Sequence, residues 1–349
     1  MKIGFDAKRY YHNHTGLGNY SRTLVRALQA QYPEHEYELY DAKSFTRTFR
    51  LGHRAAADGC RLYHGLSNEL PFDLRRGHDL VSVVTIHDVC WRTFPEMYHW
   101  LDRQLYDWKY GSSCRRADRI VAISESTRRD IILQYGIEPE RIQVIYQPVA
   151  APFYEEPATD TVPPISLPDG FILYVGSINA RKNLLAILQA LTLIPTDQRP
   201  HLVVVGTGHE YRQRCEQFIV SHGLQTSVSM LSSVNDSTAL QYLYRQASVF
   251  VYPSFYEGFG LPVVEAALQQ TPVITSSISS LSEAAGPDAL YVDPHSADAP
   301  ALIAQHLERL LTDGEWRRQV GCAMEQYARL TFDPASLTQQ MMNLYQSLV

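Results

Sequence analysis

The sequence has few cysteines, no long apolar run and no excess of basic residues. Its five cysteines are scattered and form no Cys-x-x-Cys pair, which excludes a disulfide framework and favours reduced thiols in a cytoplasmic protein. No apolar run approaches the roughly 20 residues that a membrane span needs. The polar opening MKIGFD does not resemble a signal peptide. We therefore expect a cytoplasmic location.

The charge balance and the missing acidic pairs narrow the possible ligands. A net charge of -6 argues against a general nucleic-acid binder, so no nucleic-acid partner is expected. No Asp-x-Asp pair occurs in the chain, so nothing in the sequence suggests a divalent metal, and no cofactor is expected. Hydrophobic residues make up 45% of the 349 residues, which is enough for the cores of two ordinary domains.

Apolar strand patterns alternate with helical patterns along the chain. The predicted strands are 2–7, 37–40, 61–64, 80–86, 119–123, 142–145, 171–175, 201–205, 228–231, 249–252, 273–275 and 290–292. The predicted helices are 19–31, 99–116, 125–135, 183–194, 210–222, 236–246, 261–269, 297–312, 315–331 and 334–348. This alternation predicts parallel sheets with crossover helices, an α/β fold.

A connection without periodicity interrupts the pattern at residues 147–170, where six prolines occur. We therefore predict two Rossmann-like domains, residues 1–165 and 166–332, and a terminal helix at 333–349 that packs on the first domain. In such sheets ligands bind at the carboxyl ends of the strands.

The stretch 254-SFYEGFGLPVVEAALQQTPVIT-275 places two acids around the start of a helix. Helix amides attract a phosphate, and Gly258 and Gly260 let a ligand approach the main chain closely. Glu257 before the helix and Glu265 in its first turn are then placed to accept hydrogen bonds from hydroxyls on either side of a diphosphate. A molecule with hydroxyls on both sides of a diphosphate is a nucleotide sugar. We therefore expect Glu265 to hold the ribose diol and Glu257 to hold the hydroxyls of the sugar. Taken alone, Glu257 is interpreted more simply as a solvated loop residue, and Glu265 as an acid that the helix dipole favours near a helix start.

SFYEGFGLPVVEA resembles the E-x7-E motif of retaining glycosyltransferases of family 4, which have the GT-B fold. RQASVFVYPS before it and TPVITSSISSLSEAAGPDALYVDP after it follow the family's order, and the resemblance covers nearly the whole chain. It implies two Rossmann-like domains facing a cleft, with the acceptor on the first and the nucleotide sugar on the second. It also implies a C-terminal helix that crosses back to the first domain. At this motif it implies a catalytic Glu257 and donor-binding Gly258, Phe259, Gly260, Leu261 and Glu265.

A second motif, 176-GSINARKN-183, follows a predicted strand. Arg181 and Lys182 precede a helix, where cations are mildly unfavourable unless they have a function. They can stabilise the charge that develops on a departing diphosphate; the plainer interpretation is a solvated pair. The family also has a basic pair here. Gly176 and Ser177 are implied donor-binding positions, and many members have arginine where this chain has Ser177.

Two further motifs carry weaker signals by themselves. In 85-TIHDV-89 the family has a His-Asp pair, which implies that His87 holds the donor sugar and Asp88 orients the loop. A lone histidine would otherwise be taken as a polar strand end. In 15-TGLGNYS-21 the resemblance implies a flexible loop, with Gly16 and Gly18 over the donor phosphates. A dinucleotide-binding loop fits poorly, because Gly16 follows the first strand by nine residues.

The base-binding residues are implied only by the resemblance, which places them at two strand ends. These are Gly206 in Gly206-Thr207-Gly208 and Val234 in Ser232-Ser233-Val234. Their contacts use the main chain, so guanine and uracil are not distinguished.

The resemblance is strongest to bacterial mannosyltransferases that build surface polysaccharides such as lipopolysaccharide. It implies a retaining hexosyltransferase that moves a hexose to a glycan or lipid-linked acceptor, with GDP-mannose favoured as donor. The lack of an Asp-x-Asp pair predicts that the transfer is metal-independent. A UDP-sugar-dependent transferase and a non-catalytic nucleotide-sugar binding protein of the same fold are the alternatives. A nicotinamide dehydrogenase and a sugar-nucleotide epimerase are more distant ones.

The predicted helix 99–116 mixes Trp100, Leu101, Leu105, Tyr106 and Trp108 with several cations. Core packing is the simpler interpretation of such a pattern. Peripheral contact with a membrane that carries the acceptor is the alternative.

Overall fold

The computed structural model describes residues 1–13, 16–77, 79–156, 167–232, 234 and 236–349. The chain divides into two compact units, Met1–Val149 together with Phe332–Val349, and Ala150–Thr331. The domain boundary predicted after residue 165 lies outside the described residues.

The first unit is built on a parallel sheet of six strands in the order β2-β1-β3-β4-β5-β6. The strands are β1 (Lys2–Asp6), β2 (Glu36–Tyr40), β3 (Leu62–Gly65), β4 (Val81–Ile86), β5 (Arg119–Ala122) and β6 (Ile142–Val144). The helices before residue 150 are α1 (Lys8–His12), α2 (Gly16–Gln31), α3 (Ser44–Phe49), α4 (Leu51–Ala57), α5 (Cys90–Thr93), α6 (Trp100–Arg116) and α7 (Glu125–Tyr135).

The sequence specifies these elements locally. Strand β4, VSVVTI, is buried almost throughout, as expected of a β-branched run in a parallel sheet that is covered on both faces. Its Val84 pairs with Ile120 of β5. Helix α7 starts where the Ser124 side chain accepts a hydrogen bond from the Thr127 amide and ends at Gly136, whose φ of 62° is left-handed. Its predicted bounds are confirmed.

The second unit has six parallel strands in the order β12-β11-β10-β7-β8-β9. They are β7 (Ile172–Val175), β8 (Leu202–Val205), β9 (Val228–Leu231), β10 (Val249–Tyr252), β11 (Val273–Ser276) and β12 (Leu290–Val292). The helices are α8 (Leu184–Leu193), α9 (Glu210–Ser221), α10 (Ser237–Gln246), α11 (Leu261–Leu268), α12 (Leu281–Ala285), α13 (Ala299–Thr312) and α14 (Gly314–Thr331).

The chain reverses its direction of travel across this second sheet between β7 and β10. From β7 it proceeds outward to β8 and β9, and it then returns to β10 on the other side of β7. The loops that follow β7 and β10 therefore diverge at a topological switch point. Such a point is where doubly wound sheets bind ligands.

The last helix, α15 (Pro334–Leu348), belongs to the first unit and packs on α2. Its Tyr345 hydroxyl lies 2.5 Å from His64 Nδ1, and His64 Nε2 lies 2.8 Å from Thr85 Oγ1. Burial lowers the pKa of His64 to about 3, so this imidazole is neutral. A buried polar chain thus fixes α15 to strands β3 and β4.

The predicted loop around Gly16 and Gly18 is wrong, because both glycines lie in the first turn of α2. The Arg22 guanidinium donates to the carbonyls of Tyr10 and Asn13, each at 2.8 Å. Asn13 Oδ1 accepts from the Gly18 amide at 3.2 Å. A Cβ on Gly18 would lie 1.8 Å from Asn13 O, so glycine allows the chain to turn tightly into the helix. His14 and Thr15 lie outside the described residues.

Candidate functional site

A cluster of charged side chains lies at the switch point of the second sheet. After β7, the residues Ala180–Lys182 form a short 3₁₀ helix, capped where Asn179 Oδ1 accepts from the Lys182 amide at 3.2 Å. After β10, the chain returns through Glu257. The Phe255 amide donates to the Arg181 carbonyl at 2.8 Å, which ties the two loops together.

Glu257 joins the two predicted cations. Its Oε2 lies 3.1 Å from Arg181 Nη1, and its Oε1 accepts a hydrogen bond from Lys182 Nζ. The Tyr252 hydroxyl also donates to Oε1, at 3.1 Å. The carboxylate is buried, so these charge-assisted hydrogen bonds act with little screening by water.

The protonation state of Glu257 follows from this environment. Burial would raise its pKa, but Lys182 and Arg181 outweigh burial and lower the pKa to about 2. Glu257 is therefore ionised at neutral pH, where it accepts hydrogen bonds and has no proton to give.

Two serines, the buried Ser280 and the half-buried Ser279, hold the backbone of the Glu257 loop. Ser280 Oγ donates to the carbonyls of Glu257 and Phe259, both at 2.8 Å. The Glu257 amide donates to Ser279 Oγ at 3.2 Å. Phe259 is buried, whereas Gly258 is half-buried. These hydrogen bonds tie the backbone of the loop to Ser279 and Ser280.

Gly260 is the N-cap of α11 and has a left-handed φ of 112°. A Cβ there would lie 2.9 Å from Leu281 Cδ2, so any other residue is both strained and crowded. Leu261 and Pro262, the first two residues of the helix, are half-buried. The positive end of this helix dipole can attract an anion.

Glu265 lies in the second turn of α11, which corrects the expected first-turn placement. The helix begins at Leu261, so Glu265 is its fifth residue. The Tyr244 hydroxyl donates to Glu265 Oε2 at 3.0 Å. Burial raises the pKa of this half-buried carboxyl to about 7, and the Tyr244 bond offsets part of the rise.

The loops after β7 and β8 run side by side. Gly176 and Gly206 have φ values of 155° and 158°. The Ile178 amide donates to the Thr207 carbonyl at 2.7 Å. A Cβ on Gly206 would lie 1.9 Å from Gly176 O. Ser177, in the loop after β7, is exposed.

We expect Gly206→Ala to lower the free energy of unfolding of the second unit by roughly 3 kcal/mol, because backbone must move to admit the methyl group. Thermal denaturation measures this. The matched control is Gly223→Ala, at a φ of 66° with no atom within 4 Å of its Cβ. It carries the backbone strain alone and should cost only about 1 kcal/mol. Equal losses in the two variants would contradict the close contact.

His87 follows β4 in the first unit and is buried. Its Nε2 lies 2.9 Å from the Leu66 carbonyl, and its ring meets the Tyr20 ring edge-on at 4.7 Å. A carbonyl only accepts, so Nε2 carries the proton. Burial lowers the pKa of His87, which leaves Nδ1 as an acceptor. Asp88 Oδ1 accepts from the Cys90 amide at 3.1 Å and so shapes the following turn.

Within the second unit, the structure brings Arg181, Lys182 and Glu257 into direct contact. The loops that carry Gly176, Ser177 and Gly206 and the turn Gly258–Leu261 flank this cluster. Glu265 lies further along α11, bonded to Tyr244. Val234 is half-buried, and its neighbours Ser233 and Asn235 lie outside the described residues. Gly16, Gly18 and His87 belong to the first unit.

Sequence reasoning missed Tyr252 and Tyr244, whose hydroxyls contact the two glutamates. Both lie on apolar patterns that predict only core packing. The missing information was the strand order: with β7 next to β10, the end of β10 and the loop after β7 must meet.

Comparison with known proteins identifies the family. Residues 157–327 match the model "Glycosyl transferases group 1", and residues 43–151 match "Glycosyltransferase Family 4". The chain is 30% identical to the O-antigen chain mannosyltransferase B of Escherichia coli, and the alignment covers 100% of both proteins.

Solved structures share the fold. Sucrose-phosphate synthase from Thermosynechococcus elongatus superposes with a TM-score of 0.82 at 21% identity, over 100% of this chain and 99% of that one. Anabaena HepE in complex with UDP gives a TM-score of 0.73 at 16% identity, over 100% of both. The family matches and this shared architecture confirm the resemblance found in the E-x7-E motif. The chain belongs to the family 4 glycosyltransferases with the GT-B fold, and it is a glycosyltransferase.

Proposed function

We propose that the protein transfers mannose from GDP-mannose to a glycan or lipid-linked acceptor of surface polysaccharide synthesis. We propose that it does so with retention of the anomeric configuration and without a divalent metal. The observation that carries this proposal is the contact of Arg181 and Lys182 with Glu257 at the switch point of the second sheet. The similarity to an O-antigen mannosyltransferase over the full chain supports the choice of mannose.

The cluster suits a diphosphate leaving group. In the free protein, the single charge of Glu257 offsets only part of the charge of the two cations. We propose that a bound diphosphate shares them. Negative charge grows on the departing oxygen as its bond to the anomeric carbon breaks, so attraction to Arg181 and Lys182 strengthens in the transition state. That difference between ground and transition state accelerates transfer.

In this proposal Glu257 and Glu265 accept hydrogen bonds from the donor. Glu257, ionised by its cations, accepts from hydroxyls of the donor sugar, and Glu265 accepts from the ribose diol. The amide end of α11 lies between these two positions in the sequence and attracts phosphate. His87 contributes Nδ1 as an acceptor for a sugar hydroxyl. Gly16 and Gly18 are proposed to contact the donor phosphates, and the main chain at Gly206 and Val234 the base.

The proposed transfer is balanced without a protein base. The acceptor oxygen bonds to the anomeric carbon from the face that the diphosphate leaves. Its proton moves to the leaving diphosphate oxygen. Glu257 cannot donate or relay this proton at neutral pH because its pKa is about 2.

A UDP-sugar is the second candidate donor, because HepE of the same fold was crystallised with UDP. The test is a thermal-shift titration of the full chain with GDP-mannose, UDP-glucose, GDP, UDP and ADP, since a ligand of the native state raises the melting temperature. We expect the largest increase with GDP-mannose and GDP. NMR of the mannose first released by slow donor hydrolysis should show the α configuration of the donor. A thermal shift with uridine nucleotides alone would overturn GDP-mannose as the donor. Release of β-mannose would overturn retention of the anomeric configuration.

We propose in addition that the first unit contacts the inner face of the cytoplasmic membrane. Core packing is wrong for most of the apolar residues of α6, because Trp100, Leu101, Leu105 and Trp108 are 58%, 54%, 44% and 54% exposed. Among the described residues, no helix is both long and apolar enough to cross a bilayer. The proposed contact is peripheral.

Aromatic rings extend this apolar surface to α3. Trp108 stacks on Phe72 at 4.7 Å, and Phe72 stacks on Phe49 at 5.7 Å. Exposed Lys43 and Arg50 flank α3 at its two ends. Apolar side chains rimmed by cations fit an anionic lipid surface.

The double variant Leu101→Glu/Leu105→Glu should bind vesicles with one-third anionic phospholipid at least about tenfold more weakly, because two leucines that enter the lipid are replaced by repelled carboxylates. Flotation measures this. Leu133→Glu on α7, where Leu133 is 79% exposed, is the control with nearly unchanged binding. Equal binding of all three proteins would refute the contact.

A further inference from the structure

The Tyr252 hydroxyl lies inside the charged cluster. Tyr252 ends β10 and is fully buried. Its hydroxyl donates to Glu257 Oε1 at 3.1 Å and accepts from Lys182 Nζ. The ring centroid is 5.0 Å from the same Nζ, which adds a cation–π contact.

The direction of these hydrogen bonds is fixed by chemistry. An ammonium only donates and an ionised carboxylate only accepts, so the one phenolic hydrogen points to Glu257 and the phenolic oxygen receives from Lys182. Burial raises the pKa of Tyr252 well above its ordinary value, so the phenol stays neutral. It satisfies a lysine donor without cancelling the lysine charge, which a second carboxylate would do.

Tyr252 also lies directly below the loop after β7. A Cβ built on Gly176 would lie 3.4 Å from Tyr252 Cε2 and 3.5 Å from its hydroxyl oxygen. The same side chain therefore touches the cation, the acid and the floor of the loop that carries Gly176 and Ser177. A phenylalanine would fill the same core volume but could make neither hydrogen bond.

We propose that Tyr252 is a positioning residue for glycosyl transfer. Its hydroxyl holds the Lys182 ammonium and the Glu257 carboxylate in the orientation in which the donor diphosphate and the donor sugar meet them. This inference rests on the proposed function of the cluster.

The consequence is specific to the transition state. Without the hydroxyl, the Lys182 ammonium keeps Glu257 as a partner, and Glu257 neutralises more of its charge. Less of its charge then faces the leaving diphosphate at the moment when that charge matters. Donor binding in the ground state, supported by several other groups, changes less.

The experiment compares Tyr252→Phe with wild type and with Tyr327→Phe in the full chain. Tyr327 is a tyrosine of the same unit whose hydroxyl donates to the Glu283 carbonyl at 2.7 Å, so it controls for the loss of one phenolic hydrogen bond. We expect Tyr252→Phe to lower kcat about tenfold to a hundredfold with the KM for the donor changed less than about threefold. Tyr327→Phe should keep the wild-type kcat, whatever its melting temperature.

A second readout does not need activity. The chain has five lysines, few enough for NMR of ¹³C-labelled lysine to follow the titration of Lys182 in the free protein. The titration should differ from wild type in Tyr252→Phe and agree with it in Tyr327→Phe. Unchanged kcat together with an unchanged Lys182 titration in Tyr252→Phe would overturn the inference. Absence of transfer by the wild type would instead refute the proposed function, and the titration would still decide whether Tyr252 positions Lys182.

Discussion

Lys182→Ala should lower the rate of sugar transfer at least about a thousandfold, because the diphosphate loses the cation that best meets its developing charge. Lys182 is buried and bonded to Glu257 and Tyr252, so its ammonium is held in place before the donor arrives. Steady-state kinetics with donor and acceptor measure the loss. The loss of rate should appear as a lower kcat, since the attraction is greatest in the transition state.

Folding must be separated from chemistry in this experiment. Arg181 lies 3.1 Å from Glu257 in the wild-type protein, so we expect the buried carboxylate to keep a counter-ion and the variant to stay folded. Circular dichroism checks this. Arg214→Ala on α9 removes an exposed cation of the same unit and should leave the rate unchanged. Full activity of Lys182→Ala would refute the proposed diphosphate site.

Glu265→Gln should weaken binding of GDP-mannose by about tenfold to a hundredfold, because hydrogen bonds to a charged acceptor are worth about 1.5–3 kcal/mol. Glu265→Ala should abolish transfer. The pKa of about 7 adds a pH signature. Wild-type affinity should increase from pH 6 to pH 8 as the carboxyl ionises, and the Glu265→Gln variant should show no such increase. Calorimetry with the nucleotide sugar measures both.

The stability of the free protein should decrease over the same rise in pH that increases donor affinity. The pKa of Glu265 is raised from 4.5 in the reference state to about 7 in the fold. An acid whose pKa is raised by folding contributes stability below pH 4.5, and this stability is lost as the pH rises through 7. At pH 8 the ionised, half-buried carboxylate therefore destabilises the free protein, on the order of 2–3 kcal/mol. Glu265→Gln should melt at a higher temperature than wild type at pH 8 and at nearly the same temperature at pH 5.

The control for both effects is Glu216→Gln on α9, whose exposed carboxylate pairs with Arg212 of the same helix at 2.8 Å. Its affinity and its pH dependence should match wild type. Wild-type affinity of the Glu265→Gln variant at pH 8 would exclude Glu265 from the ribose site.

Most strands were predictable from the sequence because they are short apolar runs between polar turns. The predicted bounds of β9, β10 and β12 are confirmed without change. Helix α12, with only five residues, was missed because so short a segment has no measurable periodicity. The early start of α2 was missed because its first turn depends on Arg22 and Asn13 holding the chain behind it.

The candidate site was predictable as a set of residues but not as a set of contacts. The E-x7-E pattern and the Arg-Lys pair identified Glu257, Arg181 and Lys182 separately. Their contact depends on β7 lying beside β10, and no local pattern contains that order. For α6 the local pattern misled, since an apolar stripe predicts burial and gives no sign that the stripe stays exposed.

The discontinuous first unit has a consequence for synthesis on the ribosome. Helix α15 supplies Leu337, Met341 and Tyr345 to this unit, but these residues emerge only after all of Ala150–Thr331. The second unit can therefore complete its fold first, although it comes later in the chain. Until translation reaches α15, the nascent first unit exposes the apolar face of α2 and a His64 without its tyrosine, a surface suited to chaperone capture.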